Sequence, residues 1–306
     1  MAINRVPQFI EALTPLTDDK AIKELCDAEL VYLRECLGIK YSFNEEGLHD
    51  DVIEGSVSGL HKQLTSYRNA VISQIPFTEE NSYKVLKVRK YVTYHKAFKH
   101  LVKLPIERAV RSEAQLTQIY EDQSVLIPID PDDLILKACE LLKSESYLCV
   151  ALGLMLLTGR RATEILKTAV MNVQTDSTVI FAGQLKTKDS ENAQTTPYEI
   201  PVLTDSQTVI EALAKLRQLR DFSALSNEAV HSRTNKSLNE SVKRHFKGLI
   251  PDIKVASLRS AYACIARHFY DPDEVGSVAA YYAFILGHSK KDVTTAQSYI
   301  DFKIAK

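Results

Sequence analysis

Residues 144–166 read SESYLCVALGLMLLTGRRATEIL. From 148 to 157 no residue carries a charge. A helix that is apolar on every side has to be buried, and this run has the length of a core helix, well short of a membrane span. It stops at Thr158-Gly159, where glycine suits a helix C-terminal cap. A further helix is expected from Arg161 onward, in RATEILKTAV. A rigid buried helix and a glycine turn therefore hand the chain directly to Arg160 and Arg161, at the edge of a core. A guanidinium is always charged and offers a planar, two-pronged donor to phosphate oxygens. Glu164, three residues after Arg161, can brace the turn or pair with an arginine. Taken alone, the same letters also fit an ordinary surface Arg–Glu pair.

Working outward, Asp130-Pro131 is a helix start, a capping carboxylate followed by proline at the first helical position. Two strands are expected in STVIFAG (177–183) and TPYEIPVL (196–203), joined by a polar turn. Beyond them the pattern is helical over 204–222, 236–247, 256–270, 274–286 and 293–303. Upstream, 17–39 and 55–75 read as helices, and the basic stretch 84–111 as one or two more, interrupted near Pro105. The segment EDQSVLIPIDPDD (121–133), with two prolines and several acids, is the expected linker. The fold class is mainly α with a small antiparallel β-sheet, in two domains at 1–122 and 123–306.

The 306-residue chain is 45% hydrophobic and 25% charged, within the range of an ordinary globular protein of about two domains. No signal peptide or membrane span is expected, and the five scattered cysteines form no metal-binding spacing. No metal and no cofactor is called for. Net charge is −1, which by itself argues against nucleic acid, but the charge is segregated. Residues 1–60 hold five Lys/Arg against twelve Asp/Glu, whereas residues 84–111 hold nine against one and residues 231–306 hold twelve against seven. Concentrated basic surface suits a polyanion. The candidate DNA contacts are Lys84, Lys87, Arg89, Lys90, Lys96, Lys99, Lys103, Lys290 and Lys291.

Five further residues carry candidate chemistry. Lys186, with Lys188 as alternate, lies in the turn between the two strands, where an ammonium can bring a proton to a leaving oxygen. Arg259 opens the helix of ASLRSAYACIARHFY, whose buried stripe is expected to be Leu258, Tyr262, Ile265 and Phe269. A helix N-terminus adds its own positive end toward an anion. His288 follows a glycine at a helix end, and Tyr299 lies in the expected last helix. A phenol, with an unperturbed pKa of about 10, attacks well only where positive neighbours stabilise the phenolate.

Singly these signals are weak, but their order is specific. Arginine after TG, lysine on a hairpin, LR at a helix start, LGH, then a late tyrosine together resemble the tyrosine recombinase family. That family shows T-G-x-R-x-x-E, a hairpin lysine, H-x-L-R, L-G-H and a terminal tyrosine. TGRRATE matches with Arg161 and Glu164, LR with Arg259, LGH with His288, and Tyr299 takes the nucleophile's place, over roughly 125–306. The first histidine of H-x-L-R is Ala256 here, which leaves one catalytic role to Lys254, Ser257 or no residue. The eleven-residue interval from His288 to Tyr299, with GQLKTK at the hairpin, is more similar to the telomere resolvase (protelomerase) branch.

The resemblance implies an N-terminal helical core-binding domain that clamps DNA and an α+β catalytic domain of tyrosine-recombinase type. It implies that Tyr299 attacks a phosphodiester to form a 3′-phosphotyrosine. Arg161 and Arg259 would hold the phosphate oxygens, Lys186 or Lys188 would protonate the leaving 5′-oxygen, His288 would donate to the phosphate or orient the tyrosine, and Glu164 would give structural support. The implied partner is double-stranded DNA with an inverted-repeat site, bound by a homodimer or homotetramer in the cytoplasm, at the nucleoid, with no membrane involved. Strand exchange and hairpin-end resolution both remain open. The competing readings are a type IB topoisomerase and a catalytically impaired DNA-binding accessory protein of the same fold, the latter because of Ala256.

Overall fold

The computed structural model describes residues 5–44, 49–87, 90–185, 196–271, 276–288 and 293–305. The chain divides into two units, Met1–Gln118 and Ile119–Lys306. In the first, α1 (Val6–Leu13) and α2 (Asp19–Cys36) precede a hairpin of β1 (Lys40–Phe43) and β2 (His49–Glu54), then α3 (Val57–Gln74). The side chain of Asp18 caps α2 by accepting from the Ala21 N–H at 2.9 Å, and Ser56 caps α3 through the Gly59 N–H. Ile22, Cys26, Leu30 and Leu33 recur at helical spacing on α2, and Leu60, Leu64, Tyr67 and Val71 do so on α3. Together with Phe9 and Leu13 these residues form the core of the unit.

The basic stretch departs from the helical expectation. It begins as an antiparallel ribbon, β3 (Ser82–Lys87) paired with β4 (Lys90–His95), followed by a single turn, α4 (Ala97–His100). Tyr83 faces Tyr94 and Val85 faces Val92 across the ribbon. Such β-branched and aromatic cross-strand pairs stabilise a sheet, and here they outweigh the helix-like spacing of the lysines. Only from Pro105 does the chain become a long helix, α5 (Pro105–Ser124). The expected linker therefore holds the end of α5, strand β5 (Ile127–Ile129) and the cap of the next helix.

In the second unit Asp130 accepts from the N–H groups of Asp132 and Asp133 and starts α6 (Pro131–Leu142). The apolar run forms α7 (Tyr147–Thr158), buried from Val150 to Thr158. It packs against α6 and three helices that follow, α8 (Ser206–Leu219), α9 (Asn227–Phe246) and α10 (Ser257–Tyr270). Each fully buried leucine or valine contributes about 1.5–3 kcal/mol, which makes α7 the axis of this core. It ends on Gly159, at φ 66°, where a Cβ would collide with the Tyr262 ring. The chain then makes a wide turn over Glu164–Thr168, closed by the Ala169 N–H on the Glu164 carbonyl at 2.7 Å.

A helix was expected through residue 170, yet β6 (Val170–Thr175) begins there, because Val170, Met171 and Val173 suit a strand. It joins β7 (Thr178–Ala182) and β8 (Tyr198–Pro201) in an antiparallel sheet of order β6-β7-β8. The expected stripe of α10 holds at Leu258, Tyr262 and Ile265, but Phe269 is 47% exposed near the end of the helix.

After α10 come α11 (Val278–Ile285) and α12 (Val293–Gln297). The expected helix over 293–303 stops at Gln297, and Tyr299 sits in the turn that follows. The chain then forms β9 (Phe302–Ile304), which lies parallel to β5 with Ile127 opposite Phe302. The Ile127 N–H donates to the Asp301 carbonyl at 3.0 Å and the Ala305 N–H to the Ile129 carbonyl at 2.8 Å. Phe302 is buried in the core of this unit. Phe302→Ala is expected to lower stability by about 3–5 kcal/mol, read as a shift of the urea unfolding midpoint. Among the described residues no helix is long and apolar enough to cross a membrane.

Candidate active site

Five of the residues singled out in the sequence, Arg161, Glu164, Arg259, His288 and Tyr299, come together at the C-terminal end of α7. Arg259, in the first turn of α10, is buried at 4% exposure. It donates from Nη1 to the Gly159 carbonyl and from Nη2 to the Leu286 carbonyl at 2.7 Å. Its guanidinium carbon lies 5.4 Å from the centre of the Tyr299 ring. The His288 ring meets the Tyr299 ring edge to face, at 5.5 Å and 87°. Arg161 is partly exposed and donates from Nη1 to Glu164 at 2.9 Å and to the Leu185 carbonyl at 3.1 Å. Glu164 is fully buried and also accepts from the backbone N–H groups of Arg161 and Leu185. Glu164 therefore ties the α7 turn to the end of the strand layer.

The charge balance of this cluster is lopsided. Arg160, Arg161 and Arg259 crowd a single carboxylate, Glu164. Burial would raise the Glu164 pKa, but the charges of Arg259, Arg160 and Arg161 outweigh it and hold the carboxyl below its usual range. Burial, then the charges of Arg160 and Arg161, push Arg259 down to about 10. It stays charged at neutral pH, in a site whose positive charge is not fully compensated. An anion entering there relieves that repulsion.

Lys186 and Lys188 lie outside the described residues, as do Arg89, Lys290 and Lys291. Leu185, the last described residue before the lysine turn, is fixed on Arg161 and Glu164. Ala256 is exposed, and its methyl group can neither give nor take a proton. Lys254 is exposed, and the Ser257 hydroxyl accepts from the Lys254 N–H at 3.2 Å. In the first unit, Lys84 and Lys87 are exposed on the ribbon, with Lys87 over the Tyr94 ring at 5.0 Å. Lys96 donates to the Thr17 carbonyl at 2.9 Å, and Lys99 lies 3.6 Å from Asp19. Lys103 is pushed down by burial and then by the charges of Arg111, Arg68 and Arg108.

Sequence reasoning passed over three residues at this site, Arg160, Gln184 and Tyr198. Arg160 is wholly buried, and it donates to the Thr158 carbonyl at 3.0 Å, to the Tyr198 hydroxyl and to the Ile285 carbonyl at 2.6 Å. The sequence sets it directly after the cap of an all-round apolar helix, at the edge of the core, but that position does not distinguish Arg160 from Arg161. Among the described residues no group of three or more His, Cys, Asp or Glu side chains is placed to hold a metal ion.

The fold of this chain is similar to that of a class of solved structures. A protelomerase TelA structure, covalently complexed with substrate DNA, is 24% identical with a TM-score of 0.80, over 98% of this chain and 87% of that one. A TelA mutant complexed with DNA hairpin product gives 24% identity and a TM-score of 0.78 over the same shares. Protelomerase TelK, complexed with substrate DNA, gives 18% and 0.62, over 99% of this chain and 58% of that one. Comparison with curated proteins gives no match. Residues 125–302 match the model of the telomere resolvase ResT/TelK catalytic domain. The chain belongs to that family, the telomere resolvase branch of the tyrosine recombinase-like enzymes, and is a DNA breaking and rejoining enzyme.

Proposed function

We propose that Tyr299 is the nucleophile of a telomere resolvase and that the product is a pair of covalently closed hairpin ends. The contact of the Tyr299 ring with both Arg259 and His288, where three guanidinium groups face one carboxylate, carries this reading. The phenolic oxygen bonds to phosphorus as its proton passes to solvent, and the P–O5′ bond breaks. The 5′-oxygen leaves as a hydroxyl with a proton from Lys186, or from Lys188 as alternate. The 5′-hydroxyl of the opposite strand then attacks the 3′-phosphotyrosine and returns its proton to that lysine, the P–O bond to tyrosine breaks, the hairpin closes, and the phenol is restored with a proton from solvent. Bond energy is kept in the covalent link, so no nucleotide cofactor is required. Arg161 and Arg259 hold the non-bridging oxygens, where donors fixed in a partly dry site stabilise the charge that grows in the transition state. His288 orients Tyr299 or donates to the phosphate, and Glu164 keeps Arg161 in place.

The first unit is proposed to grip the duplex as a core-binding domain, with the domains divided at 122/123. A two-stranded ribbon has the width of the major groove, and this one carries Lys84, Lys87 and Lys90 on strands that also hold Tyr91 and Thr93, with Arg89 between the strands in sequence as a further proposed contact. Lys96, Lys99 and Lys103 extend the basic stretch, and Lys103 shares mutual repulsion with Arg68, Arg108 and Arg111 that backbone phosphates would relieve. Lys290 and Lys291 follow His288 in sequence and are proposed as further phosphate contacts. Two copies of the chain on an inverted-repeat site form the proposed complex, since a two-fold assembly calls for a near-palindromic target. A homotetramer is the alternative. The proposed location is the cytoplasm, at the nucleoid, where such DNA lies.

Incubation with a linear duplex that carries the inverted repeat next to the gene tests the reading. Fragments that snap back to duplex after denaturation are expected. Holliday junctions with exchanged flanks would assign strand exchange instead, and relaxation of supercoils at any site would assign a type IB topoisomerase.

A further inference from the structure

The carbonyls of Ile285, Leu286 and Gly287, three consecutive residues at the end of α11, each accept from a different side chain. Arg160 donates to Ile285 at 2.6 Å, Arg259 to Leu286 at 2.7 Å, and the Gln184 amide to Gly287. The last carbonyls of a helix lack partners within it and are commonly met by water or by a glycine-led turn. Here they are met by buried side chains from three other parts of the unit: the turn after α7, the first turn of α10, and the end of the strand layer.

Two of these donors are joined to one another. Arg160 donates from Nη1 to the Tyr198 hydroxyl, that hydroxyl donates to Gln184 Oε1, and Gln184 Nε2 donates to Gly287. The chain of bonds runs Arg160 to Tyr198 to Gln184 to Gly287, with a second branch from Arg160 to Ile285. Bonds linked in this way polarise one another. Arg160 is further held with its guanidinium carbon 4.9 Å from the centre of the Phe181 ring, and Tyr198 packs edge to face on Phe181 at 5.7 Å. Gly287 has φ 68°, and a Cβ there would collide with the Tyr198 hydroxyl and the Gln184 amide. The glycine of the LGH motif is thus required by this network as well as by the turn.

We infer that Arg160, Tyr198 and Gln184 are positioning residues for the reaction: through the Ile285 and Gly287 carbonyls they set where His288 stands against Tyr299. This rests on the active-site assignment made above. An apolar residue in place of Arg160 would avoid the cost of burying a charge. What the arginine adds is directional hold on the backbone three residues ahead of the imidazole and, through Tyr198 and Gln184, one residue ahead of it. Gly287 adjoins His288 directly, and the His288 N–H is bonded to the Ala283 carbonyl at 2.8 Å. On the far side of the nucleophile, Asp301 and Phe302 are pinned to β5. The segment that bears both His288 and Tyr299 is therefore clamped at each end, by side chains at one and by strand pairing at the other. A shift of about 1 Å in a reacting group is enough to cost about 100-fold in rate.

Single-turnover formation of the covalent adduct on a nicked duplex, at saturating protein, tests this with Gln184→Ala, Tyr198→Phe, His288→Ala and the double variant Gln184→Ala with His288→Ala. Gln184→Ala is expected to slow adduct formation about 10- to 100-fold with DNA affinity within about threefold of wild type. In the His288→Ala background the same change is expected to slow it by less than about twofold, since the group being positioned is gone. Tyr198→Phe keeps the ring on Phe181 and removes a single hydroxyl, so it decides the matter if the melting temperature shows that Gln184→Ala does not fold. Wild-type rates in both Gln184→Ala and Tyr198→Phe would overturn the inference, as would an equal loss with and without His288, or a loss of DNA affinity that matches the loss of rate. A wild-type protein that forms no adduct, or a His288→Ala variant that cleaves normally, would overturn the active-site assignment itself and the network with it.

Discussion

Tyr299→Phe is expected to leave no covalent protein–DNA adduct on a nicked target duplex, a loss of at least ~10⁴-fold in cleavage, while binding to the same DNA is kept. The chain has fourteen tyrosines, so the choice among them needs a physical reason. Tyr262 and Tyr282 are buried in the core, and burial pushes both phenols well above their ordinary value. Burial pushes Tyr281 up to about 12. A phenol that resists ionisation is a poor nucleophile. Tyr299 is only partly buried, and it stands in contact with a charged guanidinium and an imidazole. Phenylalanine keeps the ring that Arg259 and His288 touch, so the fold and the DNA complex should survive and only the proposed attacking oxygen is lost. Denaturing gels of wild type and variant on the same nicked duplex check this. Equal adduct in the two would place the nucleophile elsewhere.

Arg161→Ala is expected to slow adduct formation by about 10²–10³-fold, equivalent to about 2.7–4 kcal/mol of transition-state stabilisation, with DNA affinity changed by much less. Its proposed role is chiefly to meet charge that appears as phosphorus becomes five-coordinate. A single phosphate contact is a small part of a duplex-wide electrostatic grip. The side chain is partly exposed, so its removal opens no core cavity. Glu164 keeps its backbone donors from Arg161 and Leu185 and the nearby charges of Arg259 and Arg160. The melting temperature should consequently move little. Arg259→Ala differs, since that arginine also holds the Gly159 and Leu286 carbonyls, and there stability should fall along with rate. Gel-shift titration beside single-turnover cleavage separates the two effects. Parallel losses of affinity and rate in Arg161→Ala would make that residue an electrostatic anchor only.

Much of this was legible in the letters because it rests on local chemistry. The all-apolar run of α7 could only be a buried helix, and Gly159 could only be its end. Asp130-Pro131 marks a helix start, and the two strands at 178–182 and 198–201 stand out by alternation. The order of TGRRATE, LR, LGH and tyrosine resembles the tyrosine recombinase family, with a type IB topoisomerase and a catalytically impaired accessory protein as the competing readings. Elsewhere tertiary context overrode local pattern. Lysines at helix-like spacing lie on a β-ribbon because Tyr83, Val85, Val92 and Tyr94 pair across it. A helix expected through Tyr299 stops at Gln297, because residues 302–304 gain more by pairing with β5 and burying Phe302.

The sequence by itself determined which side chains are available for the reaction and the buried helix that ends just before the first arginine. Spacing within one element, hydrophobic period and capping chemistry are properties of neighbours along the chain, and they need no knowledge of the fold. Only the tertiary structure decided that Arg160 is buried while Arg161 reaches the site, and that Tyr299 stands in a turn clamped at both ends. It alone decided that Gln184 and Tyr198, distant in sequence from the LGH motif, hold its backbone. Those outcomes turn on hydrogen bonds and charge contacts between residues up to 125 positions apart, a separation that no local pattern encodes.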